Sequence, residues 1–398
     1  MTTTISTQDA TERRLLDLAV HPEHFTSARP ADDPEGTPAG LALVESHRAW
    51  SRRTQTGIRV DYQRVESQLA FIAEVVTEGI SEAGVDLSLD GDDTRSWLRR
   101  QGIFADSLSH RDWLKVQVPQ GSEGAWSLFR RVRTASSDHG KLVEIAGATV
   151  AGRVFPRIST FGTITGRMTV AAPALQNLSP GLRGLLLPDP GQVLISADLR
   201  AAEPTIAAAM SGDSGLREAV ASGDVYAALA KRIWPALEID SERRRMAKAA
   251  LLAQLYGQGV KSLSERLHLG RDDTQVIVDA LHNRYRRLFA WLAGCERDPR
   301  PETPWGRRLP LPGLDRAYAA RNWAVQGAAA DLFRLCVARI AAVDPDVLWL
   351  PVHDELVISV SPERAPAAEK ALRRAFAPIV GGVQFAAEVR VHPHRWGK

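Results

Sequence analysis

The stretch of residues 241–257 restricts the possible folds more than any other part of this sequence, because it predicts one helix with an unusual polar face. Its sequence is SERRRMAKAALLAQLYG. It begins with Ser241, a residue type that favours helix N-caps, and it has no proline and no interior glycine before Gly257. Positions four apart lie along one face of a helix. That face carries Arg244, Lys248, Leu252 and Tyr256.

The two cations on this face lie one helical turn apart and repel each other by roughly 0.2–0.5 kcal/mol. A helix shaped by stability alone would more often place a glutamate beside Lys248, so an anion such as a polyphosphate is the natural missing partner. The alternative interpretation is a solvated basic patch at the start of a core helix. The stretch by itself does not decide between them.

A short apolar run at residues 193–197 predicts a buried strand that ends at Asp198. A carboxylate at the end of a buried strand is unfavourable unless it is paired or bound to a metal, so Asp198 is a candidate site residue. The competing interpretation is that Asp198 caps the next segment.

Residues 347–360, VLWLPVHDELVISV, contain two apolar runs that meet at three ionisable residues. This pattern predicts a hairpin with His353, Asp354 and Glu355 at its tip. Strands this apolar indicate a buried hairpin, and two adjacent acids in such a place need a cation.

These features together predict one reaction centre. Paired carboxylates that hold two divalent ions about 3.5–4 Å apart, opposite cations that hold a triphosphate, are the arrangement for in-line nucleotidyl transfer. Hard oxygen ligands favour Mg²⁺, with Mn²⁺ as a substitute. The two cysteines, Cys295 and Cys336, cannot form a zinc site alone.

The motifs resemble DNA polymerase family A, the family of bacterial DNA polymerase I, from about Gly57 to the C-terminus and most strongly from Arg157 on. In chain order the matching motifs are Thr165-Gly166-Arg167 with Leu175-Gln176-Asn177, the segment from Asp198 to Glu203, residues 244–257, Asn322 with residues 325–331, and His353-Asp354-Glu355. Each motif alone is weak, but five in this order are highly specific.

The resemblance implies an α+β, right-hand polymerase fold with an antiparallel-sheet palm, helical fingers and a helical thumb. The implied segments are an N-terminal arm or linker at 1–40, a thumb-like helical region at 41–152, the first part of the palm at 153–215, the fingers at 216–300 and the second part of the palm at 301–398. The implied activity is template-directed addition of dNTPs to a primer 3′-hydroxyl.

The resemblance also implies a role for each matching residue. Asp198 and Asp354 would bind the metal ions, and Glu355 would support them. The residues implied to contact the nucleotide are Arg244 and Lys248 at the triphosphate, Leu252 at the sugar, Tyr256 beside the templating base and Glu203 as the gate against a ribose 2′-hydroxyl. Lys248 would also protonate the leaving pyrophosphate. The residues implied to contact primer and template are Arg167, Asn322, Gln326 and His353.

The sequence departs from the family's motifs at several positions. Asp198 is followed by Leu-Arg-Ala where the family has Tyr-Ser-Gln. Leu252 replaces the aromatic residue that packs on the incoming sugar, and Tyr226 replaces a histidine of the fingers. Two alternatives therefore stay open: a divergent nucleotidyltransferase that works without a template or accepts NTPs, and an inactive nucleic-acid-binding homologue.

Composition excludes few classes of function. Fifty Lys and Arg against 47 Asp and Glu give a net charge of +3, which neither indicates nor excludes nucleic-acid binding. No export or membrane segment is indicated, so we expect a cytoplasmic protein that does not contact membranes. We also expect a monomer without a proofreading exonuclease, because about 40 residues before the thumb cannot hold such a domain.

Overall fold

The computed structural model describes residues 38–105, 107–110, 113, 116–297, 302–309 and 317–397. The arm predicted at 1–40 lies almost wholly outside the described residues. The described helices are α1 (Pro38–Thr56), α2 (Tyr62–Ala83), α3 (Asp92–Arg100), α4 (Glu123–Ala148), α5 (Ala202–Ser211), α6 (Ser214–Ala221), α7 (Val225–Ile233), α8 (Ser241–Leu255), α9 (Val260–Leu267), α10 (Arg271–Arg284), α11 (Arg286–Arg297), α12 (Ala319–Val343) and α13 (Ala365–Ala375).

The described strands form small antiparallel sheets, which confirms the predicted α+β class. They are β1 (Ile58–Val60), β2 (Arg153–Val154), β3 (Arg157–Ser159), β4 (Thr169–Ala171), β5 (Leu186–Leu187), β6 (Val193–Leu199), β7 (Leu348–Val352), β8 (Glu355–Val360), β9 (Ile379–Val380), β10 (Val383–Gln384) and β11 (Ala387–His392).

The central sheet has the order β11-β6-β8-β7, with antiparallel pairing throughout. The sequences of β7 and β8 are continuous apolar runs, and their residues are almost all buried. Strands covered on both faces lose the usual alternation of apolar and polar residues, which explains this pattern. The predicted hairpin is confirmed, because β7 and β8 pair directly and leave only His353 and Asp354 between them.

Helix α12 passes through the middle of the molecule. Most of its residues are buried, as expected for a helix with apolar residues on every side. It packs against α1, α5, α11 and α13, and α13 in turn covers β6 and β11. The palm-like core is therefore a sheet with helices that tie together distant parts of the chain.

Two groups of helices lie beside this core. Helices α6 to α11 follow α5 without an intervening strand, and α8 packs against α7, α9 and α10. Helices α2 and α4 pack along each other, and α3 lies at their tip over a second hydrophobic cluster. Within the described ranges, none of the helices combines the length and the apolar character that crossing a bilayer requires.

The predicted N-cap of α8 is wrong by one residue. Asp240, not Ser241, caps the helix, because its carboxylate accepts a hydrogen bond from the Arg243 amide at 2.7 Å. A carboxylate at this position also interacts favourably with the helix dipole. Tyr256 is the C-cap residue, so α8 presents its cations near its beginning and the tyrosine at its end.

Candidate active site

Acidic residues from three neighbouring strands meet on one face of the central sheet. Glu355 of β8 and Glu388 of β11 lie directly opposite Asp198 of β6, one on each side. Directly opposed residues of antiparallel strands project from the same face, with Cβ atoms about 4.5–5.5 Å apart. Asp354 precedes β8, and its carbonyl oxygen accepts a hydrogen bond from the Leu199 amide at 3.2 Å. The structure thus brings Asp198 and Asp354 into adjacent positions.

The carboxyl group of Asp198 has an unusual pKa, raised to about 6. The first cause is desolvation by the surrounding protein, although the side chain still reaches solvent. The second is repulsion from Glu355, Asp354 and Glu388, which Arg390 offsets in part. Negative charge at this place is therefore incompletely compensated by the protein itself.

The donor set fits a divalent cation that arrives with a phosphate ligand. Among the described residues, no three His, Cys, Asp or Glu side chains form a complete metal cluster. Mg²⁺ does not need one, because it keeps several waters and is usually bound by one or two carboxylates plus substrate phosphates. Asp198 and Asp354 offer hard oxygen donors, and a cation there would relieve the repulsion that raises the pKa of Asp198.

Glu355 already has a cationic partner. Its Oε2 lies 3.5 Å from Nη1 of Arg183. The guanidinium of Arg183 lies 4.5 Å from the ring centroid of Trp396, a fully buried residue. The segment after β11 therefore fixes a cation beside the carboxylates, which suits Glu355 for a supporting position rather than for metal binding.

Glu203 is buried between two polar partners. The Tyr256 hydroxyl donates a hydrogen bond to its Oε2, and Nη2 of Arg167 donates to its Oε1 at 2.7 Å. Burial raises the pKa of Glu203, and these two hydrogen bonds lower it in part. The same Arg167 nitrogen lies 4.0 Å from Oδ2 of Asp354. Tyr256, Glu203 and Arg167 therefore connect the end of α8 to Asp354 at the turn of the β7–β8 hairpin.

Buried ion pairs hold the loop that carries Arg167 against α12. Asp331 of α12 is fully buried and accepts hydrogen bonds from Arg307 Nε, at 2.7 Å, and from Arg334 Nη2. The two guanidinium groups also donate to the carbonyl oxygens of the Thr-Gly pair directly before Arg167. The position of Arg167 therefore depends on a network that lies behind the site.

The cations of α8 have partners that the sequence did not reveal. Nε of Arg244 donates to Oδ2 of Asp224 at 2.8 Å, so the expectation of a missing anion is wrong for Arg244. Lys248 is exposed and lies over the ring of Tyr226, with Nζ 5.3 Å from the centroid. None of the described residues forms an ion pair with Lys248. Its charge is therefore available to a ligand.

The remaining candidate residues differ in how far they are exposed to solvent and in which residues they contact. Leu252 is half-buried and packs against the main core. Gln326 interacts with the Tyr256 hydroxyl and accepts from Thr165 Oγ1 at 3.5 Å. Asn322 has a buried Oδ1 without a partner among the described residues. His353 is exposed at the hairpin turn, with a φ of 56°.

Two residues near the centre, Glu388 and Asp224, did not follow from the sequence. The alternation of the last strand places Glu388 and Arg390 on one face, but only the register of β11 against β6 sets Glu388 beside Asp198. Asp224 is twenty positions before Arg244, so their contact depends on how α7 packs on α8.

The comparisons with known proteins first define the class of fold. The POL domain of Pol1 from M. smegmatis, in a complex with DNA primer-template and dNTP, superposes with a TM-score of 0.77 at 21% sequence identity. The match covers 90% of this chain and 71% of that one. The predicted right-hand polymerase fold, with a sheet palm and helical fingers and thumb, is confirmed.

The sequence then defines the family. Residues 127–397 match the model of DNA polymerase family A, and the chain belongs to that family. The DNA polymerase of Mycobacterium phage D29 is 29% identical over 244 residues, which are 58% of this chain and 40% of that protein. The thermostable DNA polymerase I of Thermus aquaticus is 30% identical over 54% of this chain and 29% of its own length. DNA polymerase I of Aquifex aeolicus is 27% identical over 68% of this chain and 51% of its own length. The chain thus spans only about a third to a half of these relatives.

Proposed function

We propose that this chain is a template-directed DNA polymerase that adds dNTPs to a primer 3′-hydroxyl by two-metal nucleotidyl transfer. One observation carries the proposal: Arg167, Glu203 and Tyr256 form a continuous polar connection from α8 to Asp354 at the turn of the β7–β8 hairpin, which lies beside Asp198 of β6. A nucleotide whose phosphates lie at α8 would thus have its sugar beside Glu203. Its α-phosphate, which the primer hydroxyl attacks, would face Asp198.

The protein's own residues would divide the work as follows. Asp198 and Asp354 would hold the metal ions, which when bound would supply a lowered pKa for the primer hydroxyl and stabilisation of charge on the phosphorus. Lys248 and Arg244 bind the triphosphate, and Lys248 can donate a proton to the departing pyrophosphate. The buried Glu203 would exclude a 2′-hydroxyl by occupying its space, because the hydrogen bonds from Tyr256 and Arg167 fix the side chain in place.

The duplex would be bound by residues around this centre. Asn322 offers an oxygen that has no partner among the described residues, Gln326 and Arg167 both interact with Tyr256, and His353 is exposed next to Asp354. We also propose the segment boundaries of thumb (41–152), palm (153–215 and 301–398) and fingers (216–300). Primer-template DNA, dNTPs and Mg²⁺ are the partners that this assignment requires.

Primer extension with the Asp198→Asn variant tests the proposal. We expect loss of at least about three orders of magnitude in turnover with nearly unchanged duplex affinity, because the substitution removes a charge that the phosphoryl transition state needs. The matched control is Asp346→Asn, which removes an exposed aspartate that is paired at 3.6 Å with Arg52 and lies before β7, at the end of that strand away from the hairpin turn. Extension by Asp198→Asn at the rate of this control would exclude the assigned centre.

The same assay with NTPs in place of dNTPs, and with the template omitted, tests the divergent nucleotidyltransferase. Leu252 favours that alternative, since a half-buried leucine offers the sugar less contact area than an aromatic ring. We expect dNTPs to be preferred, because Glu203 is fixed in place by two hydrogen bonds. Equal use of both sugars would contradict the role of Glu203.

A further inference from the structure

The two carboxylate oxygens of Asp224 accept hydrogen bonds from different partners. Oδ1 caps α7 by accepting from the amides of Tyr226 and Ala227, at 3.2 and 3.1 Å. Oδ2 accepts from Nε of Arg244 at 2.8 Å. Both side chains are nearly half exposed, at 44% and 46% of their surface, so a solvated ligand can reach Arg244 and compete for it.

Tyr226 supplies a second contact to the same cations. Its ring is buried, and its centroid lies 5.6 Å from Cζ of Arg244 and 5.3 Å from Nζ of Lys248. Burial raises the pKa of its hydroxyl to about 12, so the phenol stays neutral near pH 7. The negative face of one aromatic ring therefore attracts two cations that would otherwise repel each other.

We propose that Asp224 and Tyr226 are positioning residues that regulate the polyphosphate site of α8. The Tyr226 ring holds Lys248 and Arg244 close to it, while Asp224 competes with the incoming phosphates for Arg244. This inference rests on the proposed function, since it assigns a polyphosphate to these two cations. Lys248 takes the first phosphate contact, and Arg244 contributes fully only after it leaves Asp224.

The decisive experiment measures the affinity of inorganic tripolyphosphate by titration calorimetry at low ionic strength. Asp224→Asn keeps an oxygen that can cap α7 but removes the charge that competes for Arg244. We expect binding to tighten about two- to fivefold, the effect of releasing one exposed ion pair. Thermal unfolding checks that the variant keeps its fold.

Glu242→Gln is the matched control. Glu242 lies in the first turn of the same helix, forms an exposed ion pair with Arg245, and changes the net charge by the same amount. Arg245 is not on the face of Arg244 and Lys248, so we expect a smaller change in affinity. If Glu242→Gln tightens binding as much as Asp224→Asn does, only the net charge matters and the inference is overturned.

Two substitutions of Tyr226 test the ring. Tyr226→Leu removes the aromatic face and is expected to weaken tripolyphosphate binding about two- to fivefold, the usual strength of exposed cation–π contacts. Tyr226→Phe keeps the ring and should therefore bind tripolyphosphate about as tightly as the wild-type protein. Equal weakening by both substitutions would overturn the role of the ring.

Primer extension by the same proteins separates this inference from the proposed function. A wild-type protein that extends primers but shows no such pattern with tripolyphosphate would overturn the inference alone. A protein that shows the binding pattern but extends no primer would overturn the polymerase proposal and leave the inference supported.

Discussion

At the residue scale, the environment that the fold gives Asp198 opposes the charged form that its proposed metal-binding role requires. The fold sets this carboxylate between Glu355 and Glu388, where its charge is repelled. A metal ion needs the same group in its charged form. If Asp198 binds a metal ion as proposed, the cation would relieve a repulsion that destabilises the metal-free protein.

The expected consequence is a pH-dependent gain in stability for Asp198→Asn. The pKa of Asp198 is raised from 3.8 to about 6 in the folded protein, so stability from this group is fully present below pH 3.8 and is lost as the pH rises through 6. Asparagine stays neutral at every pH. Without metal at pH 7.5 the variant should thus be more stable by about 1 kcal/mol after allowance for solvent screening.

Thermal unfolding in the presence of a chelator measures this difference, and the gain should shrink as the pH approaches 4. Asp346→Asn is again the control, since it removes a carboxylate that does not neighbour Asp198, Glu355 or Glu388. A gain in stability for Asp198→Asn that does not depend on pH would show that repulsion among these carboxylates is not its cause.

At the scale of single elements, α12 holds the site from behind through buried charge. Asp331 and Arg334 are both almost fully buried, and Arg307 completes the network. A buried guanidinium that loses its carboxylate keeps its desolvation cost without compensation. The loop before Arg167 depends on both guanidinium groups, so its position depends on Asp331.

We expect Asp331→Asn to destabilise the protein by about 3–5 kcal/mol, the usual effect of removing one partner of a buried pair. Urea unfolding followed by circular dichroism measures the change. Asp344→Asn, at the end of the same helix, removes an exposed ion pair with Arg364 and should change stability by about 1 kcal/mol or less. Similar losses in both variants would contradict the importance of burial.

The elements themselves could largely be predicted from the sequence, whereas their contacts could not. The hairpin of β7 and β8, the strand β6 and the helix α8 followed from local patterns and turn residues, because those signals lie within a few positions of one another. Asp240 replaced Ser241 as the cap because both are good capping residues and only the backbone conformation selects one. The contacts of Asp224 with Arg244 and of Glu388 with Asp198 depend on packing and strand register, which no local pattern contains.

At the scale of the whole molecule, the described residues form two hydrophobic cores. The main core extends from α1 to the segment after β11, and the smaller one lies between α3 and α4. In the smaller core, the ring of Phe129 lies 5.7 Å from that of Trp113 and 5.1 Å from that of Trp126. Regions with separate cores can open independently.

Phe129→Ala should therefore unfold the tip around α3 without loosening the central sheet. We expect a local loss of about 3–5 kcal/mol, because the ring is fully buried. Hydrogen exchange should become faster in α3 and the first half of α4, while β6 and β8 keep their protection. Phe376→Ala, in the main core, is the contrasting variant and should raise exchange in the sheet. A uniform increase in both variants would show that the cores are coupled.

The strand β11 and the residues after it bring Glu388 beside Asp198 and Trp396 beneath Arg183. These residues leave the ribosome long after β6 has been synthesised. A nascent chain released near residue 387 would therefore contain β6, β7 and β8 but lack β11, which would leave β6 as an open edge of the central sheet. The acidic face around Asp198 is thus completed only when the last strand has been synthesised.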